Sequence, residues 1–231
     1  MNNALVAAES PGIYQTGFPR PLIDWQQLVK NRPAVLKHTE LPPYLLLPEI
    51  RSLLMTVRHA NNHLLFSTLW HTGARISEAL AITAKSFERD PSIAYVSLKT
   101  LKQRGRPRAG VIKVPARMVP VRDPQYLNEV EKYLATHRPA PAERLFSITR
   151  QAADLRLRQA VRNYEKVTGG TLSIPVTSHT FRHSFAVNAV LHGVPLTVLQ
   201  VWLGHKNLET TAIYTQVLAA ETGHLMQCVE F

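Results

Sequence analysis

Three short patches hold the side chains with the most chemical potential: Thr72-Gly-Ala-Arg-Ile-Ser-Glu-Ala-Leu80, Ser178-His-Thr-Phe-Arg-His183 and Leu203-Gly-His-Lys-Asn-Leu-Glu-Thr-Thr-Ala-Ile-Tyr214. Breaking a phosphodiester without a metal requires a nucleophile, cations to neutralise the pentavalent phosphorus, and a proton for the leaving oxygen. Arginine suits the second task, because its fixed fork of donors matches two phosphate oxygens and stays charged. Arg75 and Arg182 are the candidates. His179 and Arg182 stand three apart and share one face of a helix, while Phe181 and Phe185, four apart, take another face toward the core. A free phenol ionises near pH ~10, so a tyrosine nucleophile needs cations or a base beside it. Tyr214, nine residues beyond His205, would draw on Arg75, Arg182 and His205, with His179 as the candidate proton acceptor.

Each patch also has a plainer reading. Arg75 and Glu78 have the spacing of a helix-surface ion pair. His179 and Arg182 could form a solvated helix start capped by Ser178. Gly204-His205 could be an ordinary glycine helix end. A lone helix tyrosine is more often packing than nucleophile. His183 reads as structural or merely adjacent.

The elements that must position these residues are mostly helical. Prolines 11, 19, 21, 33, 42 and 43 make residues 1–43 an irregular arm with one short helix over 24–30. Pro48-Glu49 opens a helix carrying Ile50, Leu53, Leu54 and Val57, and a second carries Leu64 to Trp70 and stops at Gly73. A third, shorter helix holds Glu78, Leu80 and Ile82. Segments 93–98, 111–114 and 118–121 are short and β-branched, a small antiparallel sheet. Helices follow over 123–136, 151–167, 178–192, 195–203 and 208–217. The expected fold class is α+β, mostly α-helical, with a small antiparallel sheet carrying a basic loop.

Charge narrows the partner. Twenty-seven Lys and Arg against sixteen Asp and Glu leave a net +11, which suits a polyanion. No acidic residue lies between Asp90 and Asp123, where Lys99, Lys102, Arg104, Arg106, Arg108, Lys113, Arg117 and Arg122 fall. Such a stretch repels itself unless solvated or facing phosphate. Cys228 is the single cysteine, which excludes an intrachain disulfide framework and thiolate zinc clusters and fits a reducing cytoplasm. No secretory leader and no membrane-length apolar run is evident.

Taken together and in this order, the three patches make residues 44–217 resemble the catalytic domain of the tyrosine site-specific recombinases, the phage integrase family with its plasmid-multimer resolvases and inversion switches. The resemblance implies that Arg75, Arg182 and His205 hold the scissile phosphate, that Tyr214 attacks it, and that Glu78 orients the site from behind. It also implies a general-acid lysine in the loop of the sheet. Lys102 fits the family pattern better and Lys99 is the alternative. Lys99, Arg104, Arg106, Arg108 and Lys113, with Arg150, Arg156, Arg158 and Arg162, would contact DNA backbone.

A 3′-phosphotyrosyl intermediate conserves bond energy, so neither cofactor nor metal is expected. The implied partners are duplex DNA with a specific site, four protomers exchanging strands through a Holliday junction, and accessory DNA-bending proteins, in a cytoplasmic, nucleoid- or plasmid-associated setting. Residues 1–43 are too few for the separate helical domain most members carry there. Grip through the catalytic domain alone, or a truncated chain, is the expectation. The tail 218–231, with Leu225, Met226, Val229 and Phe231, could dock on a neighbouring protomer or fold back. Two rivals use the same scaffold: a type IB topoisomerase-like relaxing enzyme and a non-catalytic DNA-binding regulator.

Overall fold

A computed structural model describes residues 23–89, 93–100 and 116–220. Basic residues 102, 104, 106, 108 and 113, the strand expected over 111–114, and the tail beyond 220 lie outside the described residues. The helices are α1 (Trp25–His38), α2 (Leu47–Met55), α3 (Ala60–Thr72), α4 (Ile76–Ala79), α5 (Pro124–His137), α6 (Arg150–Thr168), α7 (Ser178–Leu191), α8 (Leu196–Leu203) and α9 (Glu209–Ala212). Strands β1 (Phe87–Arg89), β2 (Ala94–Lys99) and β3 (Ala116–Val121) form one antiparallel sheet in sequence order. No described helix is long and apolar enough to cross a membrane.

Helix α1 is twice the length expected and runs through Pro33. Proline in a helix interior costs about 3 kcal/mol, chiefly through its missing N–H and its clash with the carbonyl four residues back. Here that carbonyl belongs to Val29, an exposed residue, while Leu28 and Arg32 are buried beneath the helix. Tertiary burial outweighs the local penalty. The short third helix ends at Ala79, so Leu80 and Ile82 lie beyond it, and Ile82 passes its carbonyl to Leu145 N–H instead. Strand β1 was not expected, because Phe87-Glu-Arg89 is too short to display alternation and exists through its pairing with Ala94–Val96. Thr177, not Ser178, caps α7, its hydroxyl accepting from Thr180 N–H.

Two apolar clusters share α7 as a wall. The larger packs α2, α3, the sheet, α5 and α6 around Ile50, Phe66, Leu69, Val96, Val119 and Leu157, with Phe181 from the first turn of α7. The smaller packs α1 and α8 against Ala186, Val187 and Val190 from the far half of α7. Phe185 and Trp202 touch both clusters. At about 1.5–3 kcal/mol for each large apolar side chain buried, Phe181, Val187, Val190 and Leu191 anchor α7 beside the three patches.

The expected last helix is broken. After α9 the chain tightens into a 3-10 segment, Ile213–Ala220. In that geometry residues three apart eclipse, so Tyr214 and Val217 line one buried stripe in the smaller cluster.

Candidate active site

The three patches meet around Arg182. Its side chain is 3% exposed, with Nη1 donating to Gly73 O at 2.8 Å and Nη2 to Leu203 O at 2.6 Å. One guanidinium thereby joins the end of α3, the start of α7 and the end of α8. Each terminal nitrogen keeps a second hydrogen. Both junctions turn at a left-handed glycine. Gly73 has φ 58°, and a Cβ there would stand 2.5 Å from the Phe185 ring. Gly204 has φ 65°, and a Cβ there would stand 3.1 Å from Arg117 Cδ. Any side chain at either position is both strained and crowded.

Arg75 sits at the N-cap of α4 with its side chain 32% exposed. Its Nη1 donates to Glu78 Oε1 at 3.0 Å, so the ion pair suggested by spacing is present, and its backbone N–H donates to Glu78 Oε2 at 2.8 Å. Glu78 is 2% exposed and also receives the fork of Arg117, Nη1 to Oε1 at 2.9 Å and Nη2 to Oε2 at 2.6 Å. Burial alone would raise the Glu78 carboxyl, but the fork and charge of Arg117, with Arg75, hold it below the usual range. Three guanidiniums thus gather about one carboxylate. Arg182 has no carboxylate partner among the described residues, and burial with the charges of Arg75 and Arg117 pushes it down to about 9, still cationic near neutrality. The site carries uncompensated positive charge in a partly dry setting, which favours an anion.

Both ring donors near these cations are neutral. Burial first, then Arg182, Arg75, Arg117 and His183, lowers His205 to about 4. His205 Nδ1 lies 2.9 Å from the Thr211 hydroxyl. With Thr211 donating there, the ring proton rests on Nε2 and is free for a ligand. His179, exposed at the first turn of α7, is lowered by partial desolvation and then by Arg150, Arg182 and Arg75.

Tyr214 is 1% exposed. Its ring belongs to the smaller apolar cluster, while its hydroxyl lies 2.8 Å from His183 Nδ1. Burial raises the phenol pKa, and Arg182 and Arg75 act against that rise. His183, expected to be structural or merely adjacent, is therefore the ring at hydrogen-bond distance from the phenol. Burial, His179 and Arg182 lower His183 to about 4, so it is neutral and can accept from the phenol. Residues 183 and 214, 31 apart in sequence, are brought together by the packing of the 3-10 segment on α7.

Arg117 is the other departure. The sequence places it with residues that face solvent or phosphate, yet it is 8% exposed and ion-paired with Glu78. A signal was available: Arg117, Val119 and Val121 alternate with Ala116, Met118 and Pro120, so the inward phase of β3 includes Arg117. Lys99 stands exposed at the end of β2, opposite Ala116.

Residues 44–221 match the model of the phage integrase family. The chain belongs to that family. It is a tyrosine recombinase, an enzyme that cleaves and rejoins DNA at specific sites, and DNA is its partner. A resolvase of Escherichia coli K12 is 36% identical over 246 residues, covering 96% of this chain and 91% of that protein. A second Escherichia coli resolvase is 39% identical over 216 residues, covering 86% and 83%. Among solved structures, the XerH site-specific recombinase bound to its difH substrate in a pre-cleavage complex superposes with TM-score 0.60 at 22% identity. That match covers 80% of this chain and 55% of XerH, so this chain spans about half the length of that neighbour, and the likeness is one of fold.

Proposed function

We propose that this recombinase cuts each DNA strand by in-line attack of Tyr214 Oη on the scissile phosphate, with Arg75, Arg182 and His205 binding the phosphate oxygens. The observation that carries the reading is the meeting of the three patches on Arg182, which leaves a cation cluster with a single carboxylate beside a phenol. Attack forms a 3′-phosphotyrosyl link and frees a 5′ hydroxyl. The phenol proton passes to neutral His179 at the phosphate, and the leaving oxygen is protonated by Lys102, with Lys99 as the alternative. A 5′ hydroxyl from the partner duplex then attacks the link and restores the backbone, so that strands exchange through a Holliday junction held by four protomers.

Tyr214 rests in the apolar interior, so cleavage includes a movement of the 3-10 segment that breaks the bond to His183 and carries the phenol to the phosphate. Lys99, Arg104, Arg106, Arg108 and Lys113 supply backbone contacts, and log affinity falls with log salt by roughly 0.9 per phosphate neutralised. Accessory DNA-bending proteins and a nucleoid or plasmid setting complete the reading. The Escherichia coli resolvases favour resolution as the biological use.

The test is covalent trapping. Nicked duplexes from a random-sequence pool are incubated with the protein, and adducts are captured, sequenced and mapped by peptide. The expected result is one adduct on Tyr214, absent in Tyr214→Phe. An adduct on another residue, or wild-type recombination by Tyr214→Phe, overturns the assignment. Relaxation of a plasmid lacking the captured sequence would instead favour the topoisomerase-like reading.

A further inference from the structure

We infer that Arg117 is a positioning residue for the phosphate-binding cluster, setting Arg75 through Glu78 and the His205 turn through the carbonyl of Trp202. The inference rests on the proposed roles of Arg75 and His205. Beyond the family roles already given, it adds a duty for a side chain that binds no substrate.

The geometry is specific. The Arg117 Nη1 and Nη2 fork closes on both oxygens of Glu78 at 2.9 and 2.6 Å, while Nε donates to Trp202 O at 2.7 Å. Glu78 in turn holds Arg75 by its backbone N–H and by Nη1. Trp202 is in the last turn of α8, one residue before Leu203, whose carbonyl Arg182 takes. Gly204 packs against the Arg117 side chain, and His205 follows. Helix C-termini leave carbonyls without intrahelical partners. Here two buried guanidiniums satisfy two successive carbonyls, and the turn bearing His205 hangs from them. The same side chain therefore fixes one phosphate ligand from behind and the loop of another.

Lysine cannot reproduce this. It carries a point charge on a flexible stem and lacks both the planar fork and the Nε donor. With Arg117→Lys the charge beside Glu78 survives, but Glu78 and Trp202 O cannot both be held in place. Misplacement of a catalytic group by about 1 Å can cost on the order of 100-fold in rate.

The experiment compares wild type, Arg117→Lys and the double variant Arg117→Met/Glu78→Met on a captured nicked duplex, with protein saturating. The double variant removes the buried pair together, a change that often leaves folding intact. Single-turnover cleavage is expected to fall about 10- to 100-fold in both variants, with the DNA dissociation constant changed by less than about threefold. Wild-type cleavage by Arg117→Lys, or by the double variant, overturns the inference, the second by showing that Arg117 serves only to neutralise Glu78. A parallel loss of affinity and rate overturns it too.

One readout is independent of catalysis. In free Arg117→Lys the imidazole resonances of His205 should shift, while those of His63, bonded to Glu129, stay fixed. An unmoved His205 sinks the inference even if no duplex is ever cleaved. Conversely, a wild type that yields no adduct sinks the proposed function and leaves the resonance test standing.

Discussion

The start of α2 and the start of α4 are built from the same parts. In each, a glutamate in the first turn turns back to accept the N-cap backbone N–H, Leu46 to Glu49 Oε2 at 2.8 Å and Arg75 to Glu78 Oε2 at 2.8 Å. In each, a buried arginine from elsewhere closes its fork on that glutamate, Arg32 at 2.5 and 2.8 Å and Arg117 at 2.9 and 2.6 Å. Each arginine also reaches a backbone carbonyl, Tyr44 O or Trp202 O. What differs is the capped residue. Leu46 is buried in the smaller cluster, so the first device fastens α1 to α2 and, through Ser173, to the approach to α7. Arg75 is a part-exposed cation, so the second device aims a functional group. The same buried ion pair is structural or positional according to what it caps.

That comparison can be broken. Arg32→Met leaves the part-buried Glu49 with no fork, and losing one partner of a fully buried pair costs about 3–5 kcal/mol, an upper bound here. Urea unfolding should show that loss, while the folded fraction keeps wild-type single-turnover cleavage. A cleavage defect at full folding would show that α1 reaches the site. Glu78→Gln should add a catalytic loss to a stability loss, because its pair with Arg117 is buried as well. Cleavage by the folded fraction is expected to drop about 100-fold, equivalent to about 2.7 kcal/mol of barrier. Equal behaviour of the Glu49→Gln and Glu78→Gln variants would erase the distinction.

Acid sharpens it further. His183 and His205 have folded pKa values of about 4, below the ordinary 6.5. Between those limits the unfolded chain binds more protons, so stability is full above pH ~6.5 and falls as pH drops toward ~4. Each such histidine contributes at most about 1.4 kcal/mol per pH unit, less here because both rings are only partly buried. The carboxyl of Glu78 is lowered, so its contribution is lost only below its unfolded value of 4.5. Unfolding midpoints at pH 7.5, 6.5 and 5.5 should therefore decline on the histidine account alone. A flat profile would show the rings to be solvated. The smallest effect belongs to a third pair, Arg89 with Glu131, exposed on both sides. Arg89→Gln should change stability by no more than about 0.5 kcal/mol.

Local signals carried much of the layout. Glycine and proline punctuation with helical periodicity located α2, α3, α5, α6, α7 and α8 to within a few residues, and the order of the three patches pointed to the family. Pro33 misled because the cost of a proline is local, whereas the burial of Leu28 and Arg32 that offsets it is not. The last helix misled because an apolar spacing of three fits a loose α-helix as well as a 3-10 segment, and only packing against α7 chose the tighter one.

By itself the sequence determined residue types and their phase: an arginine, a histidine-x-x-arginine, a glycine-histidine and a tyrosine, each on or beside a helix end. Tertiary structure alone decided who touches whom. Arg182 reaches Gly73 across 109 residues, Arg117 reaches Trp202 across 85, and His183 rather than His179 meets the phenol across 31. Those pairings follow from how two apolar clusters pack on opposite ends of one helix, and no window of neighbouring residues encodes that.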